Sequence, residues 1–243
     1  MIHRHAREQH AALAGHVLRA AGPQGRFDAR PYDGRLLRSV EAVGKHLLYH
    51  FDDAPAVHVH LGMRGIFLRH DDPDTPPRGG TRLRLATDEA AYDLIAPIRC
   101  EGLSAPDVAA LRASLGPDPL RSDASAHDAV RRLTAFRGAV GAAVLDQKVW
   151  AGIGNAWRAE LLFLVGLHPG ARDVDASVAG RLWEAAGTYM ALGRDAGQVV
   201  SDPAAPDERW VYKRERCRRC GAAVRTWQLA SRTAYACPLD QPG

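Results

Sequence analysis

The chain has 243 residues, 46% of them apolar and 25% charged, which is the composition of a folded globular protein and excludes a disordered tail. No run of about 18 uncharged apolar residues occurs, so a helical membrane span is excluded, and the charged opening MIHRHAREQH does not read as a signal peptide. The net charge of +4 is modest but unevenly placed: Arg209, Lys213, Arg214, Arg216, Arg218, Arg219, Arg225 and Arg232 stand against the single acid Glu215. Such a field suits a phosphate backbone, with a solvated basic tail as the plain alternative.

In chain order, residues 1–14 have helical spacing, with Arg4, Arg7 and Glu8 on the charged face. From about Val17 to Ala96 the apolar period becomes two. Leu47, Tyr49 and Phe51 alternate with Leu48 and His50, and Val57, Val59, Leu61 and Met63 alternate with His58, His60, Gly62 and Arg64. Short strands in series, broken by turn-rich segments such as Asp71 to Gly80, predict an antiparallel β-sandwich. Leu115-Gly-Pro-Asp-Pro-Leu120 reads as a linker. Beyond it the helical period predicts helices at 126–137, 139–150, 156–165 and about 177–194, then a loop over 196–208 and a cysteine-bearing module from 209. The expected class is α+β, in three parts: a β-sandwich over 1–115, a helical domain over 116–205 and a terminal finger over 206–243.

Three of the four cysteines fall in the finger, as Cys217-x2-Cys220, sixteen residues, then Cys237-Pro-Leu-Asp240. This is zinc-ribbon spacing with a carboxylate in the fourth position. A Cys3Asp site for one structural Zn2+ and a metal-free finger held by packing are both chemically open. So small a module has little core of its own, which favours a staple. Only three of the 32 basic residues are lysines, Lys45, Lys148 and Lys213. An amine, unlike a guanidinium, can shed its proton and act as base or nucleophile.

In the string DQKVWAGIGNAWRAELLF, Gly152 and Gly154 permit tight turns and Asn155 is placed to cap the following helix, a seat for phosphate. That string resembles the helix–two-turn–helix signature of the formamidopyrimidine-DNA glycosylase/endonuclease VIII family. LGPDPL at 115–120, GKH at 44–46, HLGMRG at 60–65 and SRTAYACPLDQ at the end are similar to further family segments, in the family's order. The resemblance implies a base-excision-repair glycosylase with AP lyase activity. Such enzymes flip a damaged nucleotide from double-stranded DNA, attack C1′ with an amine and cleave the strand through a Schiff base. It further implies catalytic and backbone-gripping roles for Lys45 and Arg232, phosphate binding by Asn155, and a wedge role for Met63. Glu160 matches a family glutamate near the site. The implied protein is a cytoplasmic, nucleoid-associated monomer with no membrane partner. The short segment between Gly197 and the finger leaves little chain for a lid over a purine, so oxidised pyrimidines are the expected lesions.

The family's nucleophile is an N-terminal proline and its general acid the adjacent glutamate. The sequence opens at Met1-Ile2-His3-Arg4 and contains neither. An α-amine has a pKa near 8, but that of Met1 aligns about four residues downstream, which spoils near-attack geometry. A start site assigned too late and a catalytically inactive damaged-DNA-binding paralogue are the two explanations, and the retention of Lys45, Asn155 and Arg232 favours the first. A reading of a different class is a metal hydrolase built on His58 and His60 with His46 and His50, for which the sequence offers no evident carboxylate partner.

Overall fold

The computed structural model describes residues 1–243 and divides into two compact units, Ile2–Arg112 and, apart from Met1, Ala113–Gly243. In the first, the amphipathic opening forms α1 (Ile2–Leu13), which buries Ala6, Gln9 and Leu13. Its polar contacts to the sheet are specific: the Tyr49 hydroxyl donates to Gln9 at 2.6 Å, and the Val40 amide donates to His10 Nδ1 at 3.1 Å. Eight antiparallel strands follow: β1 (Val17–Ala21), β2 (Arg35–Val43), β3 (His46–Phe51), β4 (Ala56–His60), β5 (Ile66–His70), β6 (Thr81–Ala86), β7 (Ala91–Ile95) and β8 (Arg99–Leu103).

The strand order is β5-β7-β6-β1-β2-β3-β4-β8. The first end of β1 pairs with β2 and its second end with β6, so this strand carries the sheet from one layer into the other. The alternation read from sequence then explains the core. Leu37, Val40, Leu47, Tyr49, Val57 and Val59 of one layer share a cluster with Leu83, Leu85, Tyr92 and Leu94 of the other. The sandwich is thus as expected. A helix not expected from the sequence, α2 (Ala105–Ala113), closes the unit, with a weak apolar stripe that buries only Val108.

The second unit contains α3 (Ala126–Thr134), α4 (Val140–Ala143), α5 (Asn155–Leu164) and α6 (Ala176–Ala196), around Trp150, Ile153, Leu133, Leu162 and Leu182. The expected helix over 139–150 is shortened to one turn. Asp146 Oδ1 accepts the Lys148 amide, and the Gln147 side chain bonds Leu145 O, Ile153 O and the Gly152 amide. These side chains supply the backbone with an alternative to continued helix. The segment 115–120 is not a slack linker either. The Gly116 amide donates to Gln147 O, the Ala151 amide to Pro117 O, and Asp118 is buried. A Cβ on Gly116 would lie 2.3 Å from Val149 O, so only glycine permits this approach. The chain ends in the hairpin β9 (Arg225–Leu229) and β10 (Arg232–Ala236).

Candidate nucleic-acid interface

In the first unit, β2 and β3 join through the two-residue turn Gly44-Lys45, with Gly44 at φ +60°. The pairing of His46 with His60 brings Lys45 to the same end of the β3–β4 pair as the loop Leu61–Gly65. That loop is closed by the Gly65 amide on Leu61 O, and Met63 at its tip is 83% exposed. A Cβ on Gly62 would meet Ile98 Cδ1 at 2.3 Å, and Ile98 is itself exposed. The Leu61–Gly65 loop and the neighbouring β7–β8 connection therefore present two large apolar side chains to solvent, Met63 and Ile98, of which only Met63 was expected from the sequence.

Histidines on the outer face of β3 and β4 form a cluster that the sequence only half foretold. His46 Nδ1 lies 2.8 Å from His58 Nε2, and His58 Nδ1 lies 3.0 Å from Glu101 Oε1 on β8. Glu101 supplies the carboxylate partner that sequence reading did not find. His50 stands apart and bonds Glu41. Burial first, then the neighbouring His58 and His60, pushes the His46 pKa down to about 4. His58 and His60 are lowered by the same burial. Burial alone would raise the Glu101 carboxyl, but hydrogen bonds from His58 and Arg99 outweigh it and hold it low.

In the second unit, Asn155 is the first residue of α5 and not its cap; Gly154 occupies the cap position without a side chain to offer. The Asn155 Nδ2 group instead donates to Thr233 O on β10 at 3.0 Å, while its Oδ1 is buried without a partner. This single bond joins two sequence-predicted segments 78 residues apart and sets Arg232, exposed on the hairpin, beside the start of α5. Glu160 lies in the middle of α5. It is fully buried and spends both oxygens on the Trp210, Val211 and Tyr212 amides and the Ser201 hydroxyl. A carboxylate so committed ties the backbone of residues 210–212 to α5. The basic stretch is also partly neutralised: Arg214 pairs with Glu208, Arg218 with Asp202 and Arg219 with Asp240.

Cys217, Cys220, Cys237 and Asp240 converge, with their ligand atoms all within 4.8 Å of one another. Asp240 Oδ2 lies 3.2 Å from Cys217 Sγ and 3.0 Å from Cys237 Sγ, and Cys220 Sγ lies 3.3 Å from Cys237 Sγ. A metal–sulfur bond of ~2.3 Å needs tetrahedral edges of about 3.8 Å, a small expansion of this set. Without an ion, burial pushes the Cys237 thiol up to about 12, whereas the thiol hydrogen bonds hold Asp240 low. The cluster can bind a metal such as zinc, whose charge would let these thiols ionise.

Residues 4–96 match the family model described as the formamidopyrimidine-DNA glycosylase N-terminal domain, and residues 115–201 match the formamidopyrimidine-DNA glycosylase H2TH domain. The chain is 37% identical over 266 residues to Endonuclease 8 1 of Mycobacterium tuberculosis, covering 99% of this chain and 97% of that protein. It is 33% identical over 252 residues to the probable endonuclease 8 2 of Streptomyces coelicolor, covering 98% and 91%. Its fold is that of Lactococcus lactis FPG solved in complex with a FAPY-dG containing DNA, at a TM-score of 0.82 and 22% identity, covering 100% and 98%. Another similar structure of that protein is bound to an AP site containing DNA, at a TM-score of 0.81 and 21% identity, with the same coverage. No helix is long and apolar enough to cross a membrane.

Proposed function

The chain belongs to the formamidopyrimidine-DNA glycosylase and endonuclease 8 family of DNA glycosylases and AP lyases, and from that premise we propose that it excises oxidised bases, pyrimidines foremost, from duplex DNA. The observation that carries the reading is the Asn155–Thr233 bond, which sets Arg232 at the N-terminal end of α5. The positive end of a helix and a guanidinium are together suited to one phosphate. Lys45, in its rigid glycine turn, grips a further phosphate and assists elimination. Met63 fills the stack vacated by the flipped nucleotide, which its exposure on a closed loop suits.

In the reaction an amine adds to C1′ and the damaged base departs with its bonding electrons. The resulting imine acidifies the C2′ proton, whose removal expels the 3′ phosphate. Glu160 is no candidate for the acid, being committed to four donors. Zinc bound by Cys217, Cys220, Cys237 and Asp240 would supply structural stability to the finger and no step of this chemistry.

Borohydride reduction of the imine on an abasic duplex tests the reading directly. Two forms are compared: the chain beginning at Met1, and one carrying Pro-Glu-Gly-His ahead of it with the initiator methionine removed. The extended form should trap and cleave, and the form beginning at Met1 should trap poorly. In competition, duplexes bearing oxidised cytosine should outcompete those bearing 8-oxoguanine. Lesion binding without trapping by either form would make the chain a damage-binding paralogue, and failure of both to bind lesion DNA would end the reading.

A further inference from the structure

Arg158 has no role in the function proposed above, yet it is 1% exposed and no carboxylate reaches it. Burying an unpaired cation is among the least favourable things a fold can do. The guanidinium is satisfied by carbonyls alone: Nη1 donates to Leu229 O at 3.0 Å and Gly141 O at 3.4 Å, and Nη2 to Thr233 O at 2.9 Å and Arg232 O at 3.4 Å. Three of these four acceptors flank one turn, Ala230-Ser231, which joins β9 to β10.

That turn is strained. Ala230 and Ser231 have φ of +53° and +57°, a left-handed pair in which Asn-Gly is the ordinary occupant. Each non-glycine residue there costs about 1 kcal/mol, so the sequence of the turn does not select its own conformation. The planar fork of Arg158 does, because its donors meet the carbonyls on both sides of the turn at once. Gly141 cooperates, since a Cβ there would lie 2.8 Å from Leu229 Cδ2. The metal cluster sits beyond the other end of β10, at Cys237, five residues and roughly 17 Å of strand from Arg232.

We propose that Arg158 is a positioning residue that holds the Leu229–Thr233 turn against α5, so that Arg232 and Asn155 meet one DNA phosphate, independently of the metal. This rests on the phosphate-binding reading of Asn155 and Arg232. It assigns the two ends of the hairpin to different anchors, the cysteine cluster at the base and Arg158 at the tip.

The test compares Arg158→Met, Arg158→Lys, Arg232→Ala and the Arg158→Met/Arg232→Ala pair, each as the full chain, for affinity to a duplex containing a tetrahydrofuran abasic analogue. Metal content is measured alongside. Arg158→Met should weaken binding about ten-fold with metal content unchanged, and the double variant should bind no worse than Arg232→Ala alone. Arg158→Lys should recover part of the loss. Placing the favoured turn in the Arg158→Met background, by Ala230→Asn with Ser231→Gly, should restore affinity, which a merely stabilising role would not predict. Should Arg158→Met not fold, the same turn exchange is made on Arg158→Lys.

A second readout needs no DNA. Trp227 stacks on His168 at 5.2 Å, close to the turn, so the fluorine resonance of 5-fluorotryptophan at 227 should shift in the Arg158 variants and return with the Asn-Gly turn. Unchanged affinity and resonance, additive losses in the double variant, or failure of the turn exchange to rescue would each overturn the proposal. A wild-type chain that ignores the abasic duplex while the resonance still shifts and is rescued would overturn the phosphate reading and leave Arg158 as the anchor of the tip.

Discussion

At the scale of single residues, the charged groups of this protein sort by what they are paired with. Arg158 and Glu160, two residues apart on α5, are buried and committed to backbone. They are the only charged residues between Ile153 and Val165, so the sequence did carry a signal, since charges within a mostly apolar run must find partners. What it withheld was the partners, which lie 17 to 75 residues away. The buried histidines lead to a pH prediction. The folded His46 pKa of about 4 lies below its ordinary 6.5, so the unfolded chain binds the proton more readily between those values. Stability is therefore full above pH 6.5 and is lost as pH falls toward 4. Urea midpoints at pH 7 and pH 5 should show a loss of about 1 kcal/mol attributable to His46, after discounting for its partial exposure, and His46→Phe should remove that part. An equal loss in the variant would place the titration elsewhere.

At the scale of elements, periodicity located α1, α5, α6 and the β-region of 17–96, but it missed β8 and failed over 139–150 and at α2. In the first case the Asp146 and Gln147 side chains compete with helix hydrogen bonds; in the second the apolar stripe is nearly absent. The hairpin leads to the metal prediction. Purified protein should carry close to one zinc per chain, and a chelator should lower the stability of the finger while α3 and α6 persist by far-UV dichroism. Asp240→Cys, which replaces a hard oxygen ligand with a soft sulfur one, should hold zinc more tightly. A metal-free protein with an ordered finger would instead mean that Phe163, Val211 and the packing around Cys217 and Cys237 suffice.

At the scale of the whole molecule, the candidate groups belong to both compact units, Lys45 and Met63 to one and Asn155 and Arg232 to the other. If both units grip phosphate, affinity for abasic DNA must fall steeply with salt, since each contact releases counterions. Lys45→Ala and Arg232→Ala should each flatten the slope of log K against log salt by about 1, and the two effects should add. A slope unchanged by either variant would remove that group from the backbone contacts. The formal charge of +4 does not forecast this slope, because several finger arginines are already paired with carboxylates.

Features that depend on local pattern were legible along the chain. Period-two alternation placed the two faces of β3 and β4, the cysteine spacing marked the Cys217, Cys220, Cys237 and Asp240 cluster, and the GIGN turn marked the start of α5. Each needs only neighbours in the chain. Tertiary structure decided what depends on distant partners: that Asn155 bonds Thr233 and does not cap its helix, that Glu160 is a cradle for residues 210–212, and that Arg158 holds the hairpin tip. It also gave His58 its carboxylate, because the register of β4 against β8 sets Glu101 directly opposite. A side chain's charge and shape are written at its own position, but whether that charge is free for a ligand or already committed depends on which carbonyls and amides the fold brings within about 3 Å.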